Sequence, residues 1–572
     1  EEWSMRYIKF LAAGMVPVLC SLLIGLPAHA WEFEMSGSFN WTQEWYNQTG
    51  SKGFFGQYNR DNGGLTRVAN MNFWNGGQFD TNITTSADAG WSYFNVDLFP
   101  VIKVNEALHI SGKYHLGTYG DPAASDYHTQ DAPGTTRAFS EGQWTLFWVT
   151  AVTPWGTVGI GKRPWTFGTA LQYDGEDAAS TESLSVVAPY GPFDIGFGFY
   201  PYRYAGSSSI PNYADDDPYN LNGRQYFSRA DRSGTFIKDV LAFMVYHSGP
   251  MRAGILGSYG SYHIGPEALL QNPEGTVEQL ALDSQLFHGT AFVKFNNGRF
   301  FFNAEGAWLY WTDRWSGNQV FADPDNLYPN PRYIEQWRFM TELGVYSGPA
   351  KFTFLYAWTP GPDRRNRGDG TMTLIGKQPA AFVRHDNYDR QLGNFDVFRP
   401  YSYLFSYNYG AGLNAYNLSG DGYLRDASVL AARLDYAVAA NLNVFGSVFY
   451  ANRTAHGYSW GCLGPNAGAG AFASDPDGNV DINLNRYNTS PNIPDTALGY
   501  EVDLGFDWKL LEHWTFGVVF GYWQPGKWFS YACADRSVPN WYQGTAGNNY
   551  GTRPDRTIDP IIGGSFNLTY DF

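Results

Sequence analysis

Apolar and polar residues alternate one by one through most of this chain. In the final stretch GGSFNLTYDF, Phe566, Leu568, Tyr570 and Phe572 take one face of an extended strand, and Ser565, Asn567, Thr569 and Asp571 take the other. Trp31 to Trp45 (WEFEMSGSFNWTQEW) sets Trp, Phe, Met, Gly, Phe and Trp against Glu, Glu, Ser, Ser, Asn and Thr, and reads as a first strand. Between these two the pattern recurs in pairs. FNVDLFPVIKV (Phe94 to Val104) and ALHISGKYHLG (Ala107 to Gly117) flank a tight turn at Asn105-Glu106. QWTLFWVTAV and TVGIGKRPW flank Pro154-Trp155-Gly156, SLSVVAPY and FDIGFGFYPY flank Gly191-Pro192, and VLAFMVYH and RAGILGSYG flank Ser248-Gly249-Pro250. LFHGTAFVKF and RFFFNAEGAWLYW follow around Asn297-Gly298, then QWRFMTELGVY and KFTFLYAW around Gly348-Pro349, and VLAARLDYAV and LNVFGSVFY around Ala439-Ala440. YEVDLGFDW and WTFGVVFGYW, turned by Leu510 to His513, make the last pair. One opening strand, eight hairpins and one closing strand predict about eighteen strands, with sixteen as the alternative.

Asn-Gly and Gly-Pro form turns because they supply a positive φ or fix φ near −65°. Here they always fall at the same end of the hairpins. Long connections mark the other end: Asn47 to Gly90, Gly361 to Gly422, Arg453 to Asp495 and Gln524 to Arg556 are rich in Gly, Asn, Asp, Tyr and Pro and read as solvent-exposed loops. No loop marks itself as one that folds inward.

Composition selects among all-β architectures. Aromatic residues make up 18% of the 572 residues and charged residues only 16%, against about 25% charged in soluble proteins, and there are 65 glycines, 40 tyrosines and 21 tryptophans. Mean hydropathy is −0.35 and formal net charge −16. Past the first thirty residues no run approaches the roughly 18 apolar residues of a membrane helix. A chain polar on average yet rich in aromatics suits a closed antiparallel transmembrane β-barrel, in which only every second residue faces lipid. The start of the chain agrees. Met5 opens MRYIKFLAAGMVPVLCSLLIGLPAHAWEF, with Arg6 and Lys9 before an apolar run and Ala28-His29-Ala30 as a cleavage site, so residues 1–30 read as leader and export signal and 31–572 as the barrel. Glu1 to Ser4 precede that methionine and are set apart from the fold. Cys20 lies behind Leu19, where a lipidation motif needs a small residue.

The export signal, the alternating strands with short turns and long loops, and the aromatic last strand together resemble a Gram-negative outer-membrane porin, over nearly the whole of 31–572. The resemblance implies that Phe566, Leu568, Tyr570 and Phe572 are the signal read by the outer-membrane assembly machinery. It also implies residence in the outer membrane among lipid and lipopolysaccharide, and the possibility of a homotrimer. The expected function is a water-filled channel for passive diffusion of small hydrophilic solutes and ions. The alternative is a substrate-specific channel, or an export or electron-transfer conduit whose lumen holds a partner. Nucleic acid is not an expected partner.

Sixteen to eighteen strands leave an aqueous lumen, and the alternation assigns residues to it: Lys103, His109, Ser111, Lys113, His115, Arg163, Asn303, Glu305, Arg433, Asp435, Glu501, Asp503, Asp507 and Lys509. VGIGKRPWTFG breaks the pattern. Val158 and Ile160 put Lys162 toward lipid and Arg163 inward, where a lysine at mid-membrane is costly. A bulge near Gly159 or Gly161, or Pro164, would turn both charges inward as a basic constriction, and a snorkelling lysine near the rim is the alternative. In DPDGNVD, Asp475, Asp477 and Asp481 surround a turn glycine at a spacing that suits calcium, though without a full twelve-residue hand; no other cofactor is implied. Cys462 and Cys533 lie in long loops on one side, and export to an oxidising compartment predicts a disulfide between them. A hydrolase would need a nucleophile beside a histidine held by a third group, and the ten histidines show no such cluster in the sequence. His109 and His115 share a face but stand about 20 Å apart along it. No enzyme activity is expected. CxxCH is absent, so electron transfer would need a separate cytochrome.

Overall fold

The structure is a computed structural model and describes residues 31–48, 88–117, 140–169, 183–204, 225–228, 236–271, 277–317, 332–359, 391–394, 398, 400–405, 423–425, 427–454, 495–527 and 560–572. The opening strand is β1 (Glu32–Gln48), followed by the hairpins β2 (Asp88–Asn105) with β3 (Leu108–Gly117), β4 (Ser140–Thr153) with β5 (Gly156–Lys162), and β6 (Ser183–Tyr190) with β7 (Phe193–Tyr204). A short β8 (Gln225–Ser228) precedes β9 (Phe236–Ser248) with β10 (Met251–Gln271), β11 (Val277–Asn296) with β12 (Phe300–Gly317), and β13 (Arg332–Ser347) with β14 (Ala350–Trp358). Two short strands, β15 (Gln391–Asn394) and β16 (Tyr423–Arg425), pair with each other. Then come β17 (Ala427–Ala439) with β18 (Leu442–Arg453), β19 (Ala497–Leu511) with β20 (Trp514–Pro525), and the closing β21 (Ile561–Asp571).

Leaving aside β8, which pairs only with the far end of β10, and the β15–β16 ribbon, each strand pairs antiparallel with its neighbours, and β21 pairs with β1 from Ser38↔Asp571 to Gln48↔Ile561. The wall is therefore a closed barrel of eighteen strands, with all eight short turns and the outer end of β1 at one rim. Closure leaves the wall without an edge strand. Among the described residues no helix is long and apolar enough to cross a membrane.

Local chemistry explains the turns. In Gly191-Pro192, Gly249-Pro250 and Gly348-Pro349 the glycine is the first central residue of a two-residue loop, at φ of +58°, +51° and +57°, as a type II′ turn requires. The proline beside it has no N–H to lose. Its carbonyl accepts a bond from the next strand each time, from the amides of His247 (2.8 Å), Asn296 (2.9 Å) and Ala437 (2.9 Å). At Asn297-Gly298 the Asn297 side chain accepts from the amides of Arg299 and Phe300.

The alternation decides the two faces. Phe33, Met35 and Trp41 on β1, Ile195 and Phe197 on β7, Phe352 and Phe354 on β14, and Val502 and Leu504 on β19 are exposed on the outside. On β19 the outward Tyr500 and Trp508 bracket those aliphatic residues, eight positions or about 27 Å apart along a tilted strand. Inward residues are smaller, polar or aromatic over glycine. The rings of Phe243, Phe292 and Phe301 lie where a Cβ on Gly196, Gly254 and Gly344 would stand.

Two stretches depart from the strand-and-loop reading. The predicted strand TVGIGKRPW ends at Lys162, and Phe167 is buried against Phe292 and Phe243 on the inner wall. The loop Gly361 to Gly422 is not wholly solvent-exposed: Phe398 and residues 401–405 are buried against the inner wall.

Candidate functional site

The lumen is lined by the inward faces of the strands and by two segments folded onto them. The first leaves the wall after β5. Gly161, at φ +120°, bends the end of the strand, and Arg163 folds back so that its guanidinium lies 3.0 Å from where a Cβ on Gly159 would be. Beyond it, Trp165 and Phe167 join an apolar cluster with Leu241, Val245, Leu256 and Phe292 of β9, β10 and β11. The segment is then tied to a single carboxylate on β12. Thr169 donates its amide (2.5 Å) and hydroxyl (2.8 Å) to Glu305 Oε2, while Thr290 donates to Glu305 Oε1 (3.1 Å).

The second segment lies between β14 and β17 in the chain. Glu501, fully buried on β19, accepts from the Ser402 hydroxyl (2.7 Å) and from the amides of Leu404 (2.5 Å) and Phe405 (2.7 Å). Asp503, two residues on and on the same face, accepts from the Tyr403 amide (3.1 Å) and the Ser447 hydroxyl (3.3 Å). The Tyr401 hydroxyl donates to Glu342 on β13, and Arg433 donates to the Pro400 carbonyl. Burial, and next the Glu342 carboxylate, push the Tyr401 phenol well above its ordinary value, so the hydroxyl keeps its proton and remains a donor. Phe405 packs between Phe449 (5.5 Å) and Trp523 (5.2 Å). Both segments use one device: wall carboxylates satisfy backbone amides that no ladder serves.

The wall of β1 to β3 carries a different set. Lys113 is 3.2 Å from Asp97 Oδ2, and His115 Nδ1 is 2.6 Å from Asp97 Oδ1. Lys103 pairs with Glu34 and Glu32, and His109 stands opposite Lys103 in register. On β17 Arg433 donates twice to the single oxygen Asp435 Oδ1, from Nη2 (2.7 Å) and Nε (2.9 Å), and stacks over Phe445 at 4.0 Å. Asn303 donates to Glu342 (2.8 Å), and Asp507 lies on the inner face beside Gly517. Lys162 stands opposite Phe147, an outward-facing residue, with no register shift between β4 and β5. Lys162 and Arg163 thus take separate courses where the chain leaves the wall. Cys462, Cys533, Asp475, Asp477 and Asp481 lie outside the described residues.

Several lumen residues escape a reading of single strands. Asp97 and Glu342 follow the same alternation as Lys113 and Asn303 and were legible on that ground. The ties from Thr169, Tyr401 and Ser402 bridge 136, 59 and 99 residues, and no local pattern announces them. The same holds for Asp97 with His115 and for Asp194 with His247 (2.7 Å), which give two histidines a carboxylate partner that the sequence does not display.

No protein-family model matches the chain and no curated relative does. Among solved structures the chain is similar to the outer membrane protein opdK of Pseudomonas aeruginosa, at 8% identity over 94% of this chain and 99% of that one, with a TM-score of 0.40. It is also similar to OccAB3 of Acinetobacter baumannii, at 9% identity, 94% and 99% coverage and a TM-score of 0.40. A third is the anion-selective porin of Comamonas acidovorans, at 8% identity, 95% and 100% coverage and a TM-score of 0.35.

Proposed function

We propose that this chain is a porin of a Gram-negative outer membrane: a non-catalytic, water-filled channel through which small hydrophilic solutes and ions diffuse passively. The observation that carries this reading is the division of the closed wall into an apolar outside and a charged inside. An outer surface bearing Phe352, Phe354, Val502 and Leu504 would aggregate in water and is at home in hydrocarbon. An inner surface holding Asp97, Lys113, Arg433 and Asp435 requires water. Export through residues 1–30 and recognition of Phe566, Leu568, Tyr570 and Phe572 by the assembly machinery would put the short-turn rim in the periplasm and the long loops outside, against lipopolysaccharide.

A second reading, a substrate-specific channel, is favoured by one observation: two separate segments are bonded onto the inner wall, where each takes up lumen cross-section. Single-channel recording in planar bilayers tests both. A large ohmic conductance that falls smoothly with solute size supports the general porin; a small conductance blocked by one class of solute supports the specific channel. Protein that is folded and inserted but passes no current would overturn both.

A further inference from the structure

We propose that Arg252 and Lys294, on the inner wall near the short-turn rim, form a binding site for a small oxyanion, a carboxylate or a phosphate. The proposal rests on the channel reading only for its biological use.

The two cations stand directly opposite each other in the register of β10 and β11. Both belong to the inward face, Arg252 with Gly254 and Leu256, and Lys294 with Thr290 and Phe292. Like charges directly opposite on a sheet repel, with Cβ atoms only about 5 Å apart. The Arg252 guanidinium stays within electrostatic reach of the Lys294 ammonium. The Arg252 guanidinium carbon lies 5.8 Å from the centre of the Phe292 ring, which reaches across from β11 to cover Gly254 on the same inward face.

The neighbours in the same row do not supply the missing negative charge. On one side His247, directly opposite Arg252, is engaged by Asp194 at 2.7 Å. On the other, Asn303, directly opposite Lys294, donates to Glu342, and Glu342 also takes the Tyr401 hydroxyl. Glu305 and Glu342 are both within electrostatic reach of Lys294, but Glu305 is 2% exposed and holds Thr169 and Thr290, and neither forms an ion pair with Lys294. Among the described residues neither Arg252 nor Lys294 makes an ion pair. By contrast Lys103, Lys113 and Arg433 each have a carboxylate within 3.5 Å. Two adjacent cations without an ion-pair partner among the described residues, one a planar fork and one a compact point charge, match an anion with two oxygens to offer. Arg252 is the second residue after the Gly249-Pro250 turn and Lys294 lies just before Asn297-Gly298, so the site sits at the mouth of the lumen.

The test uses purified full-length protein in detergent at constant ionic strength, with chloride replaced stepwise by inorganic phosphate or by acetate. The thermal unfolding midpoint of the wild type should rise with one or both anions, which also identifies the class of oxyanion. R252Q and K294Q should each weaken the apparent affinity at least tenfold. K351Q, which removes an inward lysine of β14 that lies 5.0 Å over the Phe301 ring of β12, should leave it unchanged. The paired exchange R252K with K294R keeps both charges and should retain the response. A wild type indifferent to both anions, or glutamine variants that respond as the wild type does, would overturn the site. Recording the same proteins in bilayers separates the two readings: binding without any ion current leaves the site standing and refutes the channel, and current that neither anion alters, from protein whose midpoint is also unmoved, refutes the site alone.

Discussion

Glu501 shows how much one side chain can decide. Its two oxygens collect a hydroxyl and two amides from residues 402–405, and hydrogen bonds to a charged acceptor contribute about 1.5–3 kcal/mol each. Glutamine has nearly the same shape but presents an NH2 group to one set of donors. E501Q is expected to loosen the 398–405 segment and raise single-channel conductance, with the barrel itself still folded as judged by heat-modifiable electrophoretic mobility. Asp507 lies outside this network, so D507N should leave the conductance close to wild type. Equal conductance in E501Q and wild type would mean that the segment is held well enough by its apolar contacts with Phe449 and Trp523 and by the bonds to Asp503, Glu342 and Arg433. The alternation placed Glu501 and Asp503 on the inner wall. Their partners were not legible, because Ser402 and Leu404 lie about a hundred residues away in a segment between strands, and nothing local in YSYLFS says which wall carboxylate it meets.

The hairpin was the most legible element. Its information is local: a period of two, then a dipeptide with a required φ, then a period of two again. That is why eight hairpins and two flanking strands could be counted from the sequence to the observed eighteen. The inward segments failed the same test for a physical reason. RPW reads as the end of a strand whose Lys162 and Arg163 a bulge or Pro164 would turn inward, but Trp165 and Phe167 find their partners in Leu241 and Phe292, two and three hairpins further along the chain. The turn chemistry is itself open to measurement. Alanine at Gly348, held at φ +57°, is expected to cost about 1–2 kcal/mol, read as a lower denaturant midpoint for unfolding. Asparagine there should cost less, since it tolerates the left-handed region better. A G348A variant as stable as the wild type would argue against the type II′ turn.

At the scale of the whole molecule the decisive contact is the seam. Gly37 N–H donates to the Phe572 carbonyl (2.9 Å) and Phe572 N–H to the Gly37 carbonyl (3.0 Å), while the Phe572 ring lies where a Cβ on Gly37 would stand. The last aromatic residue is thus seated on the first strand, and a large side chain at position 37 would unseat it. G37L is expected to lower the yield of heat-modifiable, folded barrel severalfold. G257L, at an outward glycine where an added Cβ would meet nothing within 4 Å, should leave the yield unchanged. Equal yields for the two variants would remove the seam from the list of determinants. The bond from Thr569 to Asn40 (2.6 Å) spans 529 residues of chain. Folding rates fall as contacts become more distant in sequence, and this contact cannot form until nearly the whole polypeptide is present. Until then the growing sheet has two raw edges that invite pairing with other chains. The architecture therefore sets a waiting time during which the protein has no finished form. How quickly β1 and β21 are brought together, more than the strength of any single contact in the wall, decides whether it becomes a closed barrel or a precipitate.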